Sequence, residues 1–309
     1  RQPAHPYPEG TAAYAPDKLV AAIEAEDERA ALAQLRGALG AGLGVAELEP
    51  ALARAALAHY QDFGHSAIYV VKTRDLIERL GRRAETPLLL ARVPAFRSYG
   101  SALAAWDSHG ALRLKAEDFR NLGPKQILPK TLAGSADPQG LYHALMGAAA
   151  WNLLHFDTRL QARTDGPISE NTGWLSFTHA ITFANAGRRL AERNPELWPA
   201  VLLQLAFFVG RNTGRMDESL DGARWAVAEP GRFFADAYRG LFDHAQQEPI
   251  VSAHLIKTLS AAEEELAAAP EAPWAETLLA GVNRFLNSPL KRRHALREAR
   301  QALSFVELE

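Results

Sequence analysis

Six of the ten histidines in this chain lie in apolar, helix-like sequence, where side chains normally pack a core. They are His59, His65, His143, His155, His179 and His254. A lone histidine in such a place is most simply explained by a hydrogen bond to a backbone carbonyl. Burying several imidazoles is costly unless they share partners, and one metal ion satisfies them together. The set therefore favours a metal site built from nitrogen ligands, which suit iron, zinc, copper or nickel.

Helix geometry limits which histidines reach one centre. His143 and His155 are twelve residues apart, about 120° around a shared helix and about 18 Å along it, so at most one is a ligand. We favour His143, because Gly147 and Ala150 on its face leave room for a site. His155 lies close to Asp157, which can satisfy it instead.

His59 and His65 present a second choice, since they lie on either side of Gly64, where the helical pattern breaks. We favour His65, because it opens the better-formed helical segment. Asp62 can accept a hydrogen bond from either ring and so support it as a ligand. His59 and His155 therefore stay open as replacements for His65 and His143.

Lys257 lies one helical turn after His254, in the segment SAHLIKT. A protonated lysine repels a metal ion, which leaves three interpretations. The side chain can extend to solvent, or it can be a buried base with a lowered pKa. Alternatively, CO2 can carboxylate its amine, which converts a cation into an anionic oxygen ligand. The third interpretation suits a site that otherwise contains only histidines.

Composition excludes several other chemistries. The absence of cysteine removes disulfides, thiolate catalysis, iron–sulfur clusters and cysteine-ligated zinc. A net charge of −2 gives no electrostatic reason to expect nucleic acid or an anionic membrane as a partner. No apolar run reaches the roughly 18 residues of a membrane span, and we expect a cytoplasmic protein. Motifs of zincins, di-iron carboxylate bundles, HD phosphohydrolases, serine hydrolases and P-loop proteins are also absent.

The elements that must position the histidines are helices, because apolar residues recur at helical spacing and no stretch shows the alternation of a strand. We predict an all-α fold of roughly ten to thirteen helices, a single large domain over residues 16–309 that encloses a central histidine-lined site. Proline-rich residues 1–15 predict an extended arm. Residues 107–140 are rich in glycine and proline and predict a long loop, a candidate lid. The run Glu263-Glu264-Glu265 predicts a solvated helix face.

Four short segments resemble the questin oxidase-like family, helical non-heme oxygenases that act on polyketide-derived anthraquinones. They read GHSAIY at 64–69, YHAL at 142–145, FTHAITFAN at 177–185 and AHLIK at 253–257, in the same order as in the family, and they cover less than a tenth of the chain. The resemblance implies iron ligands at His65, His143, His179 and His254, with carboxylated Lys257 as a further ligand.

These observations lead to one principal expectation and two alternatives. The principal expectation is a mononuclear Fe(II) oxygenase that uses O2 to modify an aromatic or polyketide-like small molecule, with Lys257 also a candidate catalytic residue. The first alternative is a zinc-dependent hydrolase at the same histidines. The second is a non-catalytic helical ligand-binding or interaction protein whose histidines merely satisfy its core.

Overall fold

The computed structural model describes residues 9–58, 62–90, 106, 109–163, 171–242, 249–288 and 295–306. These ranges contain thirteen α-helices joined by turns and short 3-10 segments. The helices are α1 (Pro16–Glu24), α2 (Glu28–Gly40), α3 (Val45–Ala58), α4 (His65–Leu80), α5 (Glu85–Leu90), α6 (Pro124–Leu132), α7 (Pro138–His155), α8 (Leu175–Arg193), α9 (Trp198–Arg211), α10 (Pro230–Phe242), α11 (Pro249–Ala268), α12 (Ala275–Leu286) and α13 (Ala295–Val306). The described residues form no strand, only an isolated bridge between Phe156 and Met216. The all-α prediction is confirmed.

Contacts along the chain define two compact units. The first consists of Arg1–Trp106 and Ala186–Gln204, and the second of Asp107–Asn185 and Leu205–Glu309. The single domain predicted for residues 16–309 stays a prediction. Residues 9–15 are not helical, and the backbone amides of Ala12 and Ala15 donate to Ala33 and Gln34 of α2. The extended arm over residues 1–15 stays a prediction, because residues 1–8 lie outside the described part.

The first unit packs α1 to α5 around a leucine-rich core that includes Leu19, Leu32, Leu35 and Leu48. Asp27 starts α2 by accepting a hydrogen bond from the backbone amide of Ala30, as its residue type favours.

Helix α4 begins at His65 because the preceding backbone cannot be helical. Phe63 and Gly64 both adopt left-handed conformations, with φ of 53° and 72°. Glycine takes this conformation without steric penalty, and the break predicted at Gly64 is confirmed. The histidine is therefore presented at the first residue of a sixteen-residue helix.

Two carboxylates, half-buried Asp75 and buried Glu49, bind arginines in the carboxyl-terminal part of α8, which belongs to the first unit. Asp75 receives two hydrogen bonds from Arg189, at 2.6 and 2.9 Å. Glu49 on α3 receives two from Arg193, at 2.6 and 2.9 Å, and lies 3.2 Å from Arg74 on α4. Paired guanidinium–carboxylate contacts fix orientation as well as distance, so they set the position of α4.

The second unit is organised around α7, which is buried on almost every side. The helix packs closely on α12, where a Cβ at Gly281 would lie 3.2 Å from the side chain of Leu153. Buried Arg284 on α12 donates to the carbonyls of Leu154 and Phe156 at the end of α7. Burial lowers the pKa of Arg284, and the two carbonyls partly compensate its desolvation.

The long loop predicted for residues 107–140 is wrong over much of its length. Residues Ala116–Phe119 form a 3-10 turn, and Pro124–Leu132 form α6, which begins with a proline in its first turn. Pro124 and Pro138 each stand at the first residue of a helix, a position that proline favours, so they do not indicate an irregular segment. A lid function for this region stays a prediction.

Among the residues that the structure describes, no helix has both the length and the apolar character that crossing a membrane requires.

The Asp75–Arg189 pair predicts a pH-dependent contribution to stability. Burial alone would raise the pKa of Asp75, but hydrogen bonds and charge from Arg189, with the charge of Lys72, outweigh burial and lower it. A carboxyl with a lowered pKa in the folded state stabilises the fold above its unfolded pKa, near 4, and loses that contribution as the pH falls further. We expect Asp75→Asn to reduce the free energy of unfolding by about 1–2 kcal/mol at pH 7, measured by urea denaturation.

The difference in the free energy of unfolding between wild type and Asp75→Asn should shrink as the pH is lowered from 5 towards 3. Asp236→Asn is the matched control, because Asp236 forms exposed pairs with Arg232 and Arg239 and should change stability by less than about 0.5 kcal/mol. An equal loss for Asp75→Asn at both pH values would contradict the ion-pair explanation.

Candidate metal centre

His179 on α8 and His254 on α11 face one another in the core of the second unit. Their side chains are 2% and 7% exposed, and their ring centroids lie 5.2 Å apart at an interplanar angle of 77°. Two nearly perpendicular imidazoles at this distance can direct nitrogens towards a common point. The structure therefore brings together two of the four histidines predicted as ligands.

A hydrogen bond within α8 fixes the tautomer of the His179 ring. Its Nδ1 lies 2.5 Å from the carbonyl oxygen of Leu175, one turn earlier in α8. A carbonyl only accepts, so Nδ1 carries the proton, and Nε2 of the neutral ring carries the lone pair. Metal-binding histidines commonly donate their other ring nitrogen to a carbonyl in this way.

His65 supplies a third imidazole from the first turn of α4. Its ring stacks on Tyr69, one turn later, with centroids 5.7 Å apart. The stacking restricts the orientation of a half-buried side chain that helical backbone alone would leave with several rotamers.

His65, His179 and His254 form a cluster in which one ring nitrogen from each residue lies within 4.8 Å of the others. Nitrogens bound to one ion at about 2.1 Å are separated by roughly 3–4 Å. The cluster could hold a metal ion. The described residues contain no other group of three histidine or acidic side chains with this spacing.

His143 does not belong to this cluster, and its prediction as a ligand is not supported. Its Nδ1 accepts a hydrogen bond from Nε1 of Trp274 at 3.1 Å, and the two rings stack. Gly147, which was expected to leave room for a site, permits close packing instead. A Cβ at this position would lie 2.8 Å from the side chain of Ala116. His143 is satisfied by an indole that sequence spacing could not identify.

His155 is likewise satisfied by its neighbours, and it is half-buried. Its Nδ1 lies 3.0 Å from the carbonyl of Trp151, and it stacks on that residue's ring at 4.3 Å. Burial lowers the pKa of His155, and neighbouring arginines lower it further. Asp157, the expected partner, is bonded instead to Arg159. His59 and the side chain of Asp62 lie outside the described residues.

Lys257 is half-buried on α11, one turn beyond His254. Its carboxylation and its role as a ligand or catalytic residue stay predictions.

Glu265 is a buried polar residue whose environment was predicted wrongly. It was expected on a solvated face, yet it is 1% exposed and accepts hydrogen bonds from Tyr142 and Asn185. The spacing between His254 and Glu265 could have revealed this burial. Positions eleven residues apart differ by three full turns and only about 20°, so they lie on the same face of a helix. Glu265 thus lies on the same face of α11 as a buried histidine.

Comparison of the chain with protein-family models, curated proteins and solved structures finds no match. The resemblance to questin oxidase-like proteins therefore stays a prediction carried by the four short segments.

The cluster predicts metal binding that depends on three of the histidines and not on the others. In equilibrium dialysis with Co(II), wild type should bind about one equivalent, and alanine at His65, His179 or His254 should weaken binding by more than about 100-fold. Alanine at His143 or His155 provides the control, because both lie outside the cluster and should leave affinity unchanged. Undiminished binding in both His179→Ala and His254→Ala would exclude the site.

Proposed function

We propose that this chain is a metal-dependent oxidoreductase, a cytoplasmic mononuclear non-heme iron oxygenase that acts on an aromatic or polyketide-like small molecule. The observation that carries the proposal is the cluster of His65, His179 and His254. Three imidazoles provide a neutral nitrogen set that suits Fe(II), and three protein ligands leave coordination positions for other groups. When bound, iron would supply the redox chemistry that activates O2.

The residues of the chain would perform the remaining tasks. His179 and His254 are buried and would hold the ion away from bulk water, which limits side reactions of oxygen chemistry. The carbonyl of Leu175 would orient the ring of His179. Lys257, carboxylated, would supply the anionic oxygen that the histidines lack.

Preference for iron over zinc rests on the four segments that resemble questin oxidase-like proteins. A zinc hydrolase is the second candidate, because three histidines and an open position also constitute a known catalytic zinc site. There the metal would lower the pKa of a bound water to about 7 and generate a nucleophile. The non-catalytic alternative requires that the three histidines serve the core alone.

Metal content and oxygen uptake distinguish these functions. We expect elemental analysis of freshly purified protein to show iron. Protein loaded anaerobically with Fe(II) should consume O2 in the presence of a hydroxyanthraquinone, whereas His254→Ala should not. Zinc in the purified protein, with ester hydrolysis and no oxygen uptake, would favour the hydrolase. Absence of metal, with stability indifferent to chelator, would favour the non-catalytic protein.

Lys257 can be tested separately from the histidines. Lys257→Ala should lose most oxygen uptake, and added acetate should restore part of it by supplying an anionic oxygen ligand. Lys257→Arg is the matched control, since it keeps a long cationic side chain that CO2 cannot carboxylate in the same way, and it should be inactive. Wild-type activity in Lys257→Arg would rule out the ligand role.

A further inference from the structure

A buried carboxylate joins three helices in the core of the second unit. Oε2 of Glu265 on α11 accepts from the hydroxyl of Tyr142 on α7 at 2.7 Å. Oε1 accepts from the amide of Asn185 on α8 at 3.1 Å. Glu265, Asn185 and Tyr142 are only 1%, 1% and 2% exposed. Such a group is tolerated in a core only because polar partners replace the water that it loses.

Glu265 is too distant from the histidine cluster to be a ligand. Eleven residues separate it from His254, which corresponds to about 16 Å along α11. The intervening positions on the same face, Thr258 and Ala261, are 0% and 2% exposed, so the whole face is buried. Any effect of Glu265 on the cluster must therefore pass through the placement of helices.

The helices joined by Glu265 are the ones that carry two of the clustered histidines. His179 and Asn185 both lie on α8, and His254 and Glu265 both lie on α11. The ring contact of the histidines and the hydrogen bond from Asn185 to Glu265 therefore connect the same helix pair at two levels. One contact alone permits the helices to pivot and slide, whereas two restrict both motions.

We propose that Glu265 is a positioning residue that holds α8 and α11 in the register at which His179 and His254 converge. The inference deepens the proposed function and rests on it for its metal-binding consequence. Tyr142 anchors the carboxylate from a third helix, so that the bond to Asn185 does not depend on one flexible side chain. Removal of the carboxylate leaves two buried donors without their acceptor.

The variant that tests this role is Glu265→Gln, which keeps side-chain volume but places an amide donor opposite one of the two existing donors. We expect the affinity for Co(II) to fall about tenfold or more, as happens when groups that orient metal ligands are removed. The visible absorption bands of bound Co(II) should also shift, because the angle between the two imidazoles changes. Unaltered affinity and spectrum would overturn the proposal.

A compensating exchange and a matched control separate positioning from general loss of stability. In Glu265→Gln with Asn185→Asp, the new amide can donate to the new carboxylate while its oxygen accepts from Tyr142, so affinity should recover towards wild type. Asn152→Ala is the control, because Asn152 is buried on α7 and donates to the carbonyl of Val209. It should lower stability without shifting the Co(II) bands. Equal effects of Asn152→Ala and Glu265→Gln would show a merely structural role.

A metal-free measurement keeps this inference distinct from the proposed function. Ring-proton resonances of His179 and His254, assigned with the alanine variants, should move in Glu265→Gln and stay in place in Asn152→Ala. If wild type binds no Co(II), the metal site is wrong, and these resonances still decide whether Glu265 positions the two rings. Unmoved resonances would overturn the role of Glu265 even if wild type binds the metal.

Discussion

The desolvation of polar side chains on α8 is the constraint on which the arrangement of its neighbours depends. An unpartnered buried amide or charged group costs about 1–3 kcal/mol or more, so Asn185 and Arg189 on α8 each require a matching group. Asn185 obtains one from Glu265 on α11, and Arg189 obtains one from Asp75 on α4. Directional contacts of this kind restrict the rotation of a helix more than apolar packing does. The same helix carries His179 and therefore presents it in a defined direction.

Much of the fold could be predicted because it depends on local rules. Helical spacing of apolar residues predicted an all-α chain, and the break at Gly64 predicted that a helix begins at His65. The cluster was predicted in part for the same reason, since His65, His179 and His254 each lie in a clear helical pattern. Spacing identifies the face of a helix on which a side chain lies. That information is sufficient to predict a site residue when the face borders the site.

The errors arose where the identity of the neighbouring helix decides the outcome. His143 has a suitable pattern and small residues on its face, yet Trp274 lies against it and supplies its hydrogen bond. Glu265 was grouped with two adjacent glutamates as a solvated run, although it is buried while Glu263 is exposed and Glu264 is partly exposed. Periodicity within one segment carries no information about a partner more than a hundred residues away. A buried glutamate is also rare enough that composition favours the opposite expectation.

The two kinds of polar group in the second unit impose different demands on the same pair of helices. The ring nitrogens of His179 and His254 must converge for a metal ion, which requires an accuracy well below the width of a side chain. The bond from Asn185 to Glu265 tolerates no more than a few tenths of an ångström before it weakens, and it is formed without any ion. A carboxylate network that is complete before metal binding can therefore define the register in advance. In that arrangement an ion would select between rotamers of the histidines and would not have to draw two helices together.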